Sequence, residues 1–161
     1  MRDERILNAI APCSLSCITC PAMKGGQIEK YSKQLKNMFE GYYEFQNKYL
    51  PEEHKDHAET FKAFYNHLNK YTQGNCNGCR EGRSENSCIK NCFILECTLD
   101  HGVDFCGECN EFPCDKLTTD IFKPEIIDEW IENNYKIKEH GIEIFYEEAI
   151  LRSHYKVYKQ K

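Results

Sequence analysis

The sequence predicts a mainly α-helical fold, in which a helical core carries a small, irregular, knuckle-like module rich in cysteine. Two long segments without cysteine place apolar residues at helical spacing, whereas residues 74–114 hold eight of the eleven cysteines among Gly, Asn and Ser and show no period. We expect the 161-residue chain to be one domain. Its module consists of residues 10–26 and 74–117 and packs on helices within residues 27–73 and 124–155.

The first helical segment has an apolar row that steps by three and four residues throughout, as one face of a helix requires. Pro51 ends this helix and suits the first position of the next, and Gly74 is expected to cap its end. The short break predicts a helical hairpin or one kinked helix. Such aromatic-rich rows are typical of a core. The row contains Ile28, Tyr31, Leu35, Met38, Tyr42, Phe45 and Tyr49.

The second helical segment, near the C-terminus, shows a similar stripe with one polar member, Asn134. Gly141 is expected to end this helix, after which Ile142, Phe145 and Ala149 continue the apolar pattern. The stripe contains Ile127, Trp130, Ile131, Asn134 and Ile137.

The composition limits where the protein can be located and which partners it can bind. The net charge of −5 and the pI near 5.7 argue against nucleic acid as a partner. No apolar run approaches the ~18 residues of a membrane span, and the N-terminus lacks the apolar stretch of a signal peptide. We therefore expect a cytoplasmic protein whose thiols stay reduced, and clustered thiols in a reducing compartment indicate metal ligation.

Three cysteine motifs have the spacing of metal ligands. Cys76 and Cys79 form a CxxC pair, as do Cys106 and Cys109, and Cys13 opens a CxxxCxxC motif. The turn within a CxxC pair directs both sulfurs toward one tetrahedral ion. The expected metal ligands are Cys13, Cys17, Cys20, Cys76, Cys79, Cys88, Cys92, Cys106, Cys109 and Cys114.

Zinc is the expected metal, with two ions per chain, or three as the alternative, and an iron–sulfur cluster is the alternative cofactor. Sets of four thiolates suit both, but CxxC knuckles that contain Gly favour zinc. The CxxxCxxC spacing also occurs in radical-SAM enzymes, yet those need a longer chain and usually carry an aromatic where Thr19 stands. At least one of Cys88, Cys92 and Cys97 is expected to be free, and Cys97, in an apolar run, fits a buried free thiol.

Three functional classes remain open at this point. The first is a binding or adaptor module stabilised by structural zinc, which is favoured because no acid, base or oxyanion donor stands beside the motifs. The second is an iron–sulfur electron-transfer protein or metalloenzyme, and the third is a thiol-based redox or metal sensor. The sequence identifies no catalytic residue. An unidentified protein is the expected kind of partner, and the oligomeric state is open.

The cysteine motifs also resemble those of one prokaryotic family, the domain of unknown function 3795. Residues 12–22 (PCSLSCITCPA) resemble its opening PCGLxCxxCPA, with Ser14 where the family usually has Gly. Residues 75–80 resemble its CxGCR, residues 102–117 its GvxfCxxCxxFPCxxL, and residues 136–143 its ikexGvE. The family's middle CxIxxC element aligns with Cys88 and Cys92 or with Cys92 and Cys97. The resemblance implies a cysteine-rich, zinc-binding protein and implies no reaction.

Overall fold

The computed structural model describes residues 3–82, 88, 92–116 and 122–159. Within these ranges the regular structure is helical, and an isolated antiparallel bridge joins Ile10 to Ser16. The prediction of a mainly helical protein is therefore confirmed. The helices are α1 (Glu4–Ala9), α2 (Gln27–Tyr49), α3 (Lys55–Lys70), α4 (Cys79–Gly82), α5 (Ile94–Asp100), α6 (Pro124–His140) and α7 (Ile142–Ala149), with 3-10 turns at Glu52–His54, Cys106–Glu108 and Lys156–Tyr158.

The chain divides into two compact units. The first contains residues 1–20 and 76–161, and the second contains residues 21–75. That the chain is one domain, and that the cysteine-rich module packs on helices within residues 27–73, both stay predictions. Residue 117, where the module was predicted to end, lies outside the described residues, as do residues 83–87 and 89–91 within it.

The second unit is a helical hairpin, in which α3 packs against α2 through aromatic rings. The rings of Phe39 and Phe61 meet edge to face with centroids 5.3 Å apart, and those of Tyr43 and Tyr65 stack at 4.5 Å. Pro51 lies between the two helices, where it was predicted to end the first. The sequence therefore placed the break correctly.

The expectation that the apolar row of α2 is core is wrong for most of its members. Periodicity shows that residues share a face, but it does not show which face the neighbouring helix covers. Here α3 covers the adjacent face, where Phe39 and Tyr43 lie. Within the row, the Tyr42 ring meets Phe61 of α3 at 5.0 Å, and the other exposed members stay largely in solvent. The exposed members are Tyr31, Leu35, Met38, Tyr42, Phe45 and Tyr49.

The buried carboxylate of Glu29 joins the segment before α2 to the segment after α3. Glu29 accepts backbone hydrogen bonds from Gly25 at 2.9 Å and from Gly74 at 3.0 Å, and it pairs with Lys33. The Lys33 ammonium and these two N–H groups lower the pKa of Glu29 to about 2. Gly74 is required by close backbone approach, since a Cβ there would lie 2.6 Å from the carbonyl oxygen of Met23. It is not the predicted helix cap, because α3 already ends at Lys70.

The first unit has one apolar core to which both ends of the chain contribute. The predicted burial of Trp130, Asn134 and Ile137 is confirmed, and Gly141, with φ of +83°, separates α6 from α7 as expected. Phe105, from the cysteine-rich segment, is fully buried in the same core. The core residues are Ile6, Ala9, Ile10, Phe105, Ile137, Ile142, Phe145 and Ala149.

No helix in the described parts of the chain is both long enough and apolar enough to cross a membrane.

Candidate metal centre

Four cysteines of the first unit line one small cavity. Cys106 and Cys109 flank the 3-10 turn Cys106–Glu108, Cys114 follows Pro113, and Cys97 comes from α5. The cavity they share measures about 20 Å³, room for one water-sized sphere, and its wall also contains Thr98, His101, Val103, Phe112 and Trp130. We call these four residues the Cys97 group.

Buried and partly buried hydrogen bonds fix the turn between Cys106 and Cys109. The Glu108 carboxylate accepts from the backbone N–H groups of Asp104 and Phe105, both at 3.2 Å, and the Cys106 N–H donates to Pro12 O at 3.1 Å. Gly107 donates its N–H to Oδ1 of Asn134 at 2.7 Å. The turn therefore has its shape set by the fold rather than by the thiols alone.

Asn134 joins the two ends of the cysteine-rich region. Its fully buried side chain accepts from Gly107, and its Nδ2 donates to Oγ of Ser14 at 3.0 Å and to the carbonyl of Trp130 at 2.8 Å. Ser14 adopts a φ of +69°, so a serine fills the position at which the family usually has glycine. The polar member of the predicted apolar stripe is thus a connector between the CxxxCxxC loop and the third motif.

Burial is the largest influence on the Cys106 thiol. It raises the pKa of Cys106 to about 12; the indole N–H of Trp130 acts in the opposite direction, and the thiols of Cys97, Cys114 and Cys109 add to the rise. The Trp130 indole nitrogen is buried and has no hydrogen-bond partner of normal geometry among the described residues. A thiolate at Cys106 would give this donor the charged acceptor that a neutral thiol does not.

Cys97 has polar neighbours that its sequence context did not indicate. His101 Nδ1 lies 3.8 Å from its sulfur and Lys116 Nζ lies 3.7 Å from it. The Cys97 thiol is the largest cause that raises the pKa of Lys116. Sequence reasoning treated Cys97 as a spare thiol and missed it as a candidate ligand. The available signal was the Cys97-x3-His101 spacing, which places both residues on one side of a helix.

The remaining seven cysteines form a second neighbourhood, which we call the Cys13 group. Burial raises the pKa of Cys13 well above its usual range, with further contributions from the thiols of Cys79, Cys17 and Cys92. Burial likewise raises the pKa of Cys79 to about 11, followed by the influence of Cys88, Cys92 and Cys76. The group comprises Cys13, Cys17, Cys20, Cys76, Cys79, Cys88 and Cys92.

The cysteines of the CxxxCxxC motif therefore lie near the CxxC pair of Cys76 and Cys79. That residues 10–26 and 74–117 form one module stays a prediction. Arg80, directly after this pair, joins it to the N-terminal residues and to Asp104. Its guanidinium donates to the carbonyls of Leu7 and Ile10, both at 2.6 Å, and to that of Asp104 at 2.7 Å. It also lies 4.8 Å from the centroid of the Phe105 ring. The arginine of the CxGCR motif thus connects separate segments of the chain through hydrogen bonds.

The thiols lie near one another but do not converge on one point. Among residues 3–82, 88, 92–116 and 122–159, no three His, Cys, Asp or Glu side chains are drawn close enough together to hold a metal ion. The structure therefore brings nine of the ten predicted ligands, and Cys97, into two shared neighbourhoods, and the tenth, Cys88, joins them as an exposed member. The donor set of the Cys97 group, four thiols at one ion-sized cavity, has the chemistry that tetrahedral zinc requires.

Comparisons with known proteins give one match. No curated protein and no solved structure is significantly similar to this chain. A family model described as "Protein of unknown function (DUF3795)" matches residues 9–119, which include all eleven cysteines. The match covers well over half of the sequence and contains the three motifs in order, so the chain belongs to the family of the domain of unknown function 3795.

Proposed function

We propose that this protein binds zinc through both cysteine groups, and that the ions hold the cysteine-rich segments together as a binding module. The observation that carries the proposal is the Cys97 group, whose four thiols line one cavity of about 20 Å³. Zinc prefers four thiolates in tetrahedral arrangement. A bound ion supplies folding free energy on the order of 10 kcal/mol, in addition to the burial of Ile94, Phe105 and Phe112 in the cysteine-rich segment.

A structural role follows from the number of ligands. A catalytic zinc ion keeps one coordination position for water or substrate, whereas four protein thiolates fill all positions. Cys97, Cys106, Cys109 and Cys114 would supply all four. The buried indole N–H of Trp130 also fits this role, because an outer hydrogen bond to a ligating sulfur orients the ligand.

The Cys13 group supports at least one further ion. Its seven thiols exceed the four that one tetrahedral ion needs, so it accommodates one ion with free thiols to spare, or two ions that share sulfurs. The count of two ions per chain, with three as the alternative, rests on this group.

Thiol-based redox chemistry has less support. The reactive form of cysteine is the thiolate, and redox-active cysteines have lowered pKa values. Burial instead raises the pKa of Cys13, Cys17 and Cys106, so these thiols are poor nucleophiles unless a cation compensates their charge. A metal ion is the cation that thiol clusters of this kind accept.

Cobalt replacement tests the proposal. Protein freed of metal and reloaded with Co²⁺ without oxygen is expected to show the intense thiolate-to-cobalt absorption of tetrahedral sulfur sites. Cys106→Ser is expected to remove the share that belongs to the Cys97 group, while Ser153→Ala, which changes a residue outside both groups, leaves the spectrum intact. Protein that is brown when purified without air, or a cobalt spectrum without thiolate bands, would contradict the zinc assignment.

A further inference from the structure

Helix α2 carries a continuous apolar seam that faces solvent. Counting from Tyr31, its members are separated alternately by four and three residues, which is the a and d spacing of a heptad repeat. Met38 is 79% exposed and Tyr49 is 70% exposed. We call this set the α2 seam: Tyr31, Leu35, Met38, Tyr42, Phe45 and Tyr49.

The α2 seam approaches the size of half of a protein interface. With about 150–250 Å² for each side chain, the exposed fractions correspond to roughly 500–850 Å² per chain. A standard interface buries about 800 Å² on each partner. Contiguous apolar patches of this size on monomers mark interaction sites.

We infer that α2 pairs antiparallel with α2 of a second copy of this chain. The seam prescribes the register, because a two-fold axis near residue 40 sets every a position against a d position of the other copy. Tyr31 then faces Tyr49, Leu35 faces Phe45, and Met38 faces Tyr42. Such a contact is isologous, so it closes as a dimer instead of growing into a fibre.

The helix dipoles favour the antiparallel direction, because they are opposed in an antiparallel pair and aligned in a parallel one. The charged side chains do not set the direction, since Lys33 pairs with Glu29 and Lys48 with Glu44 within α2.

Gly41 supports the same arrangement. Glycine in the middle of a helix reduces helix stability, yet a Cβ at Gly41 would meet nothing within 4 Å in this chain. Gly41 follows Glu40 directly, so it flanks the seam at the proposed two-fold axis and would face Gly41 of the second copy. Two glycines there allow the helix backbones to approach closely.

The mass in solution tests whether the seam forms a dimer. Sedimentation of the full-length, metal-loaded protein is expected to give a dimer of about twice 19.0 kDa. Met38→Lys is expected to weaken the dimer at least tenfold while the helical circular dichroism stays unchanged. Asn47→Lys, which introduces the same side chain on the exposed opposite side of α2, is expected to leave the dimer intact. A monomer at all concentrations, or equal effects of the two variants, would overturn the inference.

A pair of charge variants tests the direction. Tyr31→Lys with Tyr49→Glu places opposite charges against each other across an antiparallel dimer, whereas Tyr31→Lys with Tyr49→Lys places like charges there. At low salt the first variant is expected to dimerise at least tenfold more tightly than the second, and added salt should reduce the difference. Equal dissociation constants, or a tighter dimer for the second variant, would overturn the antiparallel register.

Discussion

Gly107 donates its backbone N–H to Oδ1 of Asn134 across 2.7 Å, and this bond joins the turn between Cys106 and Cys109 to helix α6. The contact leaves no room for a side chain. A Cβ at Gly107 would lie 2.5 Å from the carbonyl oxygen of Asn134 and 2.9 Å from Cβ of Ile137. The glycine of this CxxC motif is therefore required for packing against the helical core.

Gly107→Ala is expected to lower the free energy of unfolding by about 2 kcal/mol, because the added methyl group forces the turn away from α6. The zinc content should fall with it, since the turn carries Cys106 and Cys109. Asn47→Ala is the control: Asn47 is exposed on α2, away from this turn, and its substitution should change the free energy of unfolding by no more than about 0.5 kcal/mol. Urea unfolding of both variants measures the difference, and similar values for the two would contradict the packing argument.

Cys97→Ser is expected to lower the zinc content by about one ion per chain, as Cys106→Ser does, because both line the same cavity. Leu99→Ser, at an exposed position of the same helix, provides the control and should leave the content unchanged. Mass spectrometry under native conditions counts the ions directly. Full zinc content in Cys97→Ser would restore Cys97 to the role of a spare thiol.

Trp130→Phe is expected to weaken zinc binding about tenfold or more, because the ligating sulfur of Cys106 loses a buried N–H donor beside it. Tyr135→Phe is the control, since Tyr135 lies on the same helix and also contacts Phe112. Competition with a chromophoric chelator reports both affinities. Equal affinities in the two variants would show that the indole N–H does not act on the metal site.

Glu29→Gln is expected to destabilise the hairpin at neutral pH, and the difference from the parent should shrink in acid. The folded-state pKa of about 2 lies below the ordinary value of 4.5. The ionised carboxylate therefore stabilises the fold above pH 4.5, and this stabilisation is lost as the pH falls toward 2. Hydrogen exchange at the amides of Gly25 and Gly74 reads the effect locally, with Glu59→Gln as an exposed control. A difference that grows in acid would contradict this pKa.

The sequence predicted those features that depend on local pattern. Pro51 and Gly141 marked the helix boundaries, and the apolar stripe through Trp130 and Ile137 identified a buried face, because turn chemistry and periodicity are readable within one segment. The spacing of the CxxC pairs identified thiols that the fold places near further cysteines.

Features that depend on contacts distant in sequence could not be predicted in this way. The apolar row of α2 was expected to be core, but α3 covers the adjacent face. Cys97 was taken as spare because its neighbours in sequence are apolar, whereas its partners in space are 9 to 17 residues away, at Cys106 and Cys114. Asn134 gave no signal of its own, because its partners Ser14 and Gly107 belong to other motifs.

Elemental analysis of protein purified without added metal and without air tests the central claim most directly. The account predicts two zinc ions per chain, or three if the Cys13 group holds a pair, and no stoichiometric iron. X-ray absorption at the zinc edge should then show sulfur neighbours at about 2.3 Å. Protein that contains neither zinc nor iron while its helical spectrum and solubility are intact would contradict metal binding. Stoichiometric iron would show that the cofactor is an iron–sulfur cluster and not zinc.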